Sequence, residues 1–169
     1  AFAAMAQTLP VLTGGLDLSV GAVLALANCV ASATVDGTPA QVALGIVLTL
    51  GTGVACGLLN GAIVVYGRIQ PIIATLATSA VYTGLAYLLR PIPGGSIQGD
   101  LGFAATDMLF GRIPTSLVIM AVVLLLVWVP FKRSLLGRAA YAAGSSENAA
   151  FMSGLPLDRA KLAADALGG

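Results

Sequence analysis

The chain has 169 residues, 58% of them hydrophobic and 9% charged, with a formal net charge of +1. Soluble domains carry about 25% charged residues, so folding alone cannot hide this much apolar surface from water, and the near-neutral balance gives no electrostatic footprint for nucleic acid. The composition is that of an integral membrane protein, and the absence of histidine removes the commonest general base and metal ligand.

In chain order, Ala1 to Leu12 reads as the tail of a helix with Pro10 near its end. Both termini lie within apolar or helix-like sequence, as expected for an internal piece of a longer protein. Gly14-Gly15-Leu16-Asp17-Leu18-Ser19 follows. Two adjacent glycines loosen a helix, and Asp17 and Ser19 are polar groups at the edge of apolar sequence. Two readings stay open here. One is a surface loop in which Asp17 or Ser19 caps the next helix. The other is a broken helix whose freed backbone lines a substrate path, as in transporters. Val20 to Ala33 resumes the helix, and Thr34 to Ala40, with its Asp-Gly and Thr-Pro pairs, is a turn.

Gln41 to Tyr66 is long enough to cross a bilayer with tilt. Thr49, Gly53, Gly57 and Gly61 recur at every fourth position in it, a strip of small residues on which another helix can pack closely. Gly51-Thr52-Gly53 with Gly57 has only a superficial likeness to a dinucleotide loop, because it lies inside an apolar helix with no strand before it. Asn60 is the odd residue in the span. An amide in hydrocarbon needs a partner, so it bonds a neighbouring helix or faces a polar cavity. Cys29 and Cys56 sit in apolar runs and read as small packing residues, with no disulfide framework and no metal site.

Gly67 to Pro71 is a tight turn. Ile72 to Leu89 is a further span carrying Thr75, Thr78, Ser79 and Thr83, hydroxyls that bond the backbone or cross to other helices. Arg90 to Pro114 is a Gly/Pro-rich loop in which Leu101 to Phe110 is expected to form a short surface helix. Thr115 to Phe131 is the last long apolar run, closed by Lys132-Arg133. Membrane spans are thus expected near residues 18–33, 41–66, 71–90 and 115–131.

Leu135 to Lys161 is the one long stretch too polar for a bilayer, with Arg138, Glu147, Asp158, Arg159 and Lys161. Gly144-Ser145-Ser146 reads as a turn and helix start, with a Ser as N-cap. Glu147 sits in the first turn, where the helix dipole favours it. Asn148 to Ser153, with Ala149, Ala150, Phe151 and Met152, forms barely two turns. Gly154 suits the C′ position and Pro156 prevents continuation. Such a helix, with two large apolar residues facing water, suits a partner's groove; the plainer alternative is a solvated connector. Arg68, Lys132, Arg133, Arg138, Arg159 and Lys161 fall on one side of the membrane, against Arg90 and Arg112 on the other, so the positive-inside rule places residues 132–161 in the cytoplasm. No nucleotide loop, nucleophile–base pair or metal-ligand cluster is present in the sequence, so energy for transport must come from a partner chain or an ion gradient.

Three segments together resemble bacterial ribose/galactose-type ABC transporter permeases. GGLDLSVGAVLALA, Gly14 to Ala27, resembles their GGIDLSVG signature. LNGAIVVYGRIQPIIATLAT, Leu59 to Thr78, resembles their LNG and R-[IV]-x-x-[FI]-I-x-TL segment. LGRAAYAAGSSENAAFMSGLPLDRAKL, Leu136 to Leu162, resembles their cytoplasmic loop, LGR-x-x-YA-x-GGNE-x-AA-x-x-SGI-x-V-x-R-x-K. The resemblance implies an all-α, polytopic transmembrane bundle with a broken helix, residues 1–169 being part of one permease domain and residues 135–158 its cytoplasmic coupling loop. It implies a subunit of an ATP-driven sugar importer in the bacterial inner membrane. Gly14, Gly15, Asp17, Ser19 and Asn60 would border the substrate path. Gly144, Ser145, Ser146, Glu147, Asn148, Ala149, Ala150, Phe151, Met152, Ser153 and Gly154 would dock on the ATPase. The implied partners are a second permease subunit, identical or not, a cytoplasmic ATP-binding subunit, a periplasmic sugar-binding protein and membrane lipid. No nucleic acid and no cofactor are implied. Ser145-Ser146 replaces the family's Gly-Asn, Phe151 stands at a commonly basic position, and Pro156 follows Leu155; these departures bear on which ATPase is accepted. An ion-coupled secondary transporter is the alternative, and it would need an intramembrane ionisable residue, for which Asp17 is the candidate.

Overall fold

A computed structural model describes residues 2–92, 94, 97, 99–109 and 112–169. Helices dominate it: α1 (Phe2–Leu12), α2 (Val20–Thr34), α3 (Pro39–Gly67), α4 (Pro71–Leu89), α5 (Gly99–Thr106), α6 (Thr115–Val123), α7 (Val129–Arg133), α8 (Leu135–Ser145), α9 (Glu147–Met152) and α10 (Leu157–Gly168). A two-residue antiparallel hairpin, β1 (Met108–Leu109) and β2 (Ile113–Pro114), follows α5. The expected surface helix in this loop therefore ends at Thr106, and Phe110 lies outside the described residues.

Among the described residues three stretches are long and apolar enough to cross a membrane: Pro39–Gly67, Pro71–Leu89 and Thr115–Arg133. The expected span at 18–33 is shorter than that. α2 has 15 residues, about 22 Å at 1.5 Å per residue, against a hydrocarbon core of about 30 Å. It starts at Val20, as read from the sequence, because Leu16 to Ser19 is non-helical and Asp17 and Ser19 bond to each other instead.

Punctuation sets the other boundaries. Pro39 and Pro71 open α3 and α4, where a missing N–H costs nothing. The Thr38 N–H and hydroxyl both donate to Gln41 Oε1, at 2.7 and 3.0 Å, closing the α3 entry. Between α6 and α7 the helix widens into a π turn, Leu124–Trp128, in which the Val129 N–H reaches back to the Leu124 carbonyl. Pro130 follows at once. Its ring displaces the carbonyl four residues back and it has no N–H to give, so the widened turn accommodates it. At Ser134 the chain turns into α8. The Ser134 hydroxyl donates to the Phe131 carbonyl at 2.7 Å and accepts the Gly137 N–H at 3.0 Å.

Two cores hold the bundle. Val23, Leu26, Cys56, Tyr82 and Ala86 join α2, α3 and α4, with Cys29 packed against them. Leu9, Phe131, Ala139, Ala140, Ala160 and Ala164 join α1, α7, α8 and α10 near the basic end of the molecule. On the glycine strip of α3, Gly53 meets the Gly169 carbonyl, Gly57 the Asp165 carbonyl, and Gly61 the Asp165 and Leu162 side chains. The partner helix is thus α10. Thr49 instead donates its hydroxyl to the Gly45 carbonyl within α3, at 2.8 Å. The Arg90 guanidinium, at the end of α4, donates to the Ser32 carbonyl in the last turn of α2 at 3.1 Å, where a cation complements the helix dipole.

A side chain at Gly57 would occupy the space of the Asp165 backbone, whereas nothing lies within 4 Å of a Cβ at Gly51. Gly57→Leu should therefore lower the stability of the full-length, detergent-solubilised protein by about 1–3 kcal/mol or more. Gly51→Ala, inside the same helix, should be neutral or stabilising by up to about 1 kcal/mol. Thermal unfolding of the two variants beside the parent checks the contrast; equal melting of both would refute close α3–α10 packing.

Candidate substrate path and coupling surface

The break after α1 is a hydrogen-bonded reversal. Gly14 has φ +79, a backbone region that glycine enters freely. The Thr13 and Gly15 N–H groups both donate to the Pro10 carbonyl and Gly14 N–H to Val11, all at 3.0 Å. Leu12 lies beside Gly144 of α8, whereas α2 runs from Asn60 at its start to Gly45 at its end, so α1 and α2 run in opposite senses along α3.

At the start of α2 the polar side chains form one chain of bonds. Asp17 Oδ1 accepts the Ser19 N–H and the Ser19 hydroxyl, both at 2.7 Å. Ser19 Oγ accepts from Asn60 Nδ2 at 2.7 Å. The Tyr82 hydroxyl reaches both Asn60 Oδ1 and the Cys56 carbonyl at 3.0 Å. The Leu18 N–H donates to Thr75 Oγ1 at 3.1 Å. All five side chains, Asp17, Ser19, Asn60, Thr75 and Tyr82, are buried. Asn60 is 1% exposed, so its amide serves neighbouring helices. Thr75 and Tyr82 complete the constellation. Thr75 was visible only as one of several hydroxyls, and Tyr82 carried no distinguishing sequence signal.

Two cavities flank Asp17. One of about 300 Å³ lies towards the basic end, lined by Gly14, Gly15, Asp17, Arg68, Glu147, Lys161 and Asp165 among others. The second, about 410 Å³, lies between α1, α2 and the end of α10, and is lined by Phe2, Val20, Leu24 and Gly168 with Asp17. Asp17 is the residue common to both linings. Ser19 and Asn60 line neither.

The short polar-loop helix is α9. Ser146 is its N-cap, accepting the Ala149 N–H at 3.4 Å. Its end is a Schellman motif: the Leu155 N–H bonds the Ala150 carbonyl, the Gly154 N–H bonds Phe151, and Gly154 has φ +71. Gly144 and Ser145 do not form the expected turn; they are the last residues of α8. The reason is packing, since Gly144 lets α8 approach the Leu12 carbonyl. Ala150 points inward against Ala143 and Leu157, while Asn148, Ala149 and Ser153 are exposed. Phe151 and Met152 are 74% and 87% exposed. Glu147 pairs with Lys161 of α10 at 2.6 Å, a contact invisible to spacing because it joins two separate helices.

The whole chain, residues 1–169, matches the protein family described as branched-chain amino acid transport system / permease component. The chain belongs to this family. Among similar proteins of this permease group, the ribose import permease protein RbsC of Bacillus subtilis is 37% identical over 98% of this chain and 52% of its own length. RbsC of Escherichia coli K12 is 35% identical over 96% of this chain and 51% of its own. The autoinducer 2 import system permease protein LsrD of Escherichia coli K12 is 29% identical over 98% and 52%. The chain spans about half the length of the curated relatives it matches. No solved structure matches it. The permease resemblance read from the three motifs is borne out, and with it a multi-pass, helical membrane chain.

Removing the Asn60 amide would leave Ser19 and Tyr82 short of buried partners. Asn60→Ala should therefore cost about 1–3 kcal/mol, seen as a lower melting temperature and faster thiol labelling of a Leu16→Cys reporter. Tyr82→Phe removes one donor and should cost less, about 1 kcal/mol. Unchanged melting and labelling in Asn60→Ala would show that the network does not pin the reversal.

Proposed function

We propose that the chain is part of the membrane subunit of an ATP-driven importer of monosaccharides or related furanoses, with ATP hydrolysed in a separate cytoplasmic chain. The observation that carries this reading is α9, capped at both ends yet presenting Phe151 and Met152 to solvent. A helix so fixed, with two large apolar anchors outward, is suited to a groove in another protein. The relatives named for ribose and autoinducer 2 import support the substrate class. On this reading the basic end faces the cytoplasm, and the membrane is the bacterial inner one. Residues 144–154 dock on the ATPase, with 135–158 as the coupling loop. A periplasmic sugar-binding protein delivers substrate at the opposite end, and a second permease subunit and lipid cover the exposed apolar faces of α4 and α6.

The substrate path on this reading passes Asp17. Its carboxylate stands between two cavities, and the Gly14-Gly15 reversal brings backbone into one of them. Ser19 and Asn60 border the path by holding Asp17 and the start of α2 in place.

The experiment uses the full-length permease reconstituted with its ATPase and binding protein. Phe151→Ala should lower substrate-stimulated ATP hydrolysis and ATPase co-purification about tenfold, as for a buried anchor of more than 1 kcal/mol, while binding-protein docking stays unchanged. Asp17→Ala should slow sugar uptake with the ATPase still bound. Full coupling in Phe151→Ala, or uptake driven by an ion gradient without ATP, would overturn the proposal.

A further inference from the structure

α10 carries three contacts on one face at helical spacing. Leu157 packs under α9 with Ala143 and Ala150. One turn on, Lys161 Nζ meets Glu147 Oε1 of α9 at 2.6 Å. One turn further, Asp165 lies against Gly57 and Gly61 of α3. Residues four apart on a helix share a face, so these contacts form a line from the solvent-facing helix to the packed interior.

The contacts differ in how firmly they grip. Beneath α9 the inward side chain is an alanine meeting an alanine and a leucine, which offers little to resist sliding. On α3, α10 meets glycines, with its backbone at Asp165 lying close over Gly57. Beside the short connection of residues 153–156, the side-chain link between α9 and α10 is the ion pair, the one salt bridge among the described residues. Glu147, Lys161 and Asp165 also form one wall of the cavity of about 300 Å³ whose other wall includes Gly14, Gly15 and Asp17. A displacement of α10 therefore reshapes the space next to Asp17 directly.

We propose that Glu147 and Lys161 are positioning residues for transport: their ion pair is the strut through which movement of α9 reaches α10 and, across the shared cavity, the Gly14–Asp17 segment. This rests on the reading of α9 as the ATPase-docking helix. Glu147 is 60% and Lys161 22% exposed, so solvent screens the pair on the Glu147 side and its contribution to stability is modest. Neutralising it removes the link at small cost to the fold. Phe151 and Met152 point away into solvent and Lys161 lies outside residues 144–154, so Lys161 variants leave the surface offered to the ATPase in place.

The test is a charge-swap cycle in the reconstituted full-length transporter, with Glu147→Lys, Lys161→Glu and the double variant, plus neutral Glu147→Gln and Lys161→Met. Three quantities are read: ATPase co-purification, sugar uptake per ATP hydrolysed, and melting temperature. Each charge-reversed single variant should lose about tenfold in uptake per ATP, a loss within the range of measured coupling energies, and Lys161→Glu, which lies outside the docking segment, should do so with ATPase binding unchanged. The double variant, which restores an opposite-charge pair, should return to within about twofold of the parent. Normal uptake per ATP in the Lys161→Glu variant, or a double variant no better than its singles, overturns the strut. If charge reversal lowers melting, the neutral variants decide: parental uptake per ATP in both overturns it, and a loss in both upholds it. The two readings fail separately. Phe151→Ala with normal ATPase binding sinks the docking assignment, whereas loss of binding in Phe151→Ala beside normal charge-reversed variants sinks only the strut.

Discussion

The buried chain of hydrogen bonds from Asp17 through Ser19 and Asn60 to Tyr82 is the constraint on which the rest of the bundle depends. A helix interrupted inside an apolar protein frees backbone groups that hydrocarbon cannot satisfy. Here the reversal between α1 and α2 answers that locally, by bonds to Pro10, Val11 and Asp17, and at longer range through Thr75. Because Ser19 and Asn60 are 41 positions apart and Asn60 and Tyr82 22 apart, the same bonds fix how α2, α3 and α4 pack. The interruption is thereby made compatible with a membrane interior, and Asp17 is held between two cavities at a defined position.

The second organising feature is the use of small residues where helices cross. Gly53, Gly57 and Gly61 let α10 lie on α3, Gly144 lets α8 meet the end of α1, and Ala139, Ala140, Ala160 and Ala164 fill the space where α1, α7, α8 and α10 converge. Association in lipid draws on close packing more than on expulsion of water. Such seams hold by contact area, and where α1, α7, α8 and α10 converge Leu9 and Phe131 pack among the alanines with Trp128 and Leu136 beside them.

Much of this was legible from residue order because the signals are local. The three long spans follow from hydropathy, and the bounds of α9 follow from Ser146, Gly154 and Pro156, each of which acts within a turn of its own position. The small-residue strip on α3 was visible as a period; its partner was not, because nothing in a glycine names what will touch it. The extent of α2 was legible, Val20 to Ala33 against Val20–Thr34, whereas the bonds by which Asp17 holds Ser19 before it were not. The π turn was missed because Pro130 lies near the end of its span, where it reads as a terminator. Tyr82, the Glu147–Lys161 pair and the cavity facing Asp165 depend on helices distant in sequence, and no spacing rule reaches them.

These features divide the molecule into stiff and yielding parts. α9 is stiff for its size, because a six-residue helix with a capped start and a Schellman end has few free backbone groups left to fray. The reversal at Gly14–Ser19 is stiff where Asp17, Ser19 and Asn60 bind it, and open on the side of the cavity. Between them lies α10, seated on glycine and alanine. Small shifts become discrete rearrangements when rigid elements meet across surfaces with more than one acceptable packing. In this chain the surface with that freedom lies between the exposed helix and the buried carboxylate. A force applied at Phe151 and Met152 therefore has a short physical route towards Asp17, by the Glu147–Lys161 pair and then across the cavity that Lys161, Asp165 and Asp17 line together.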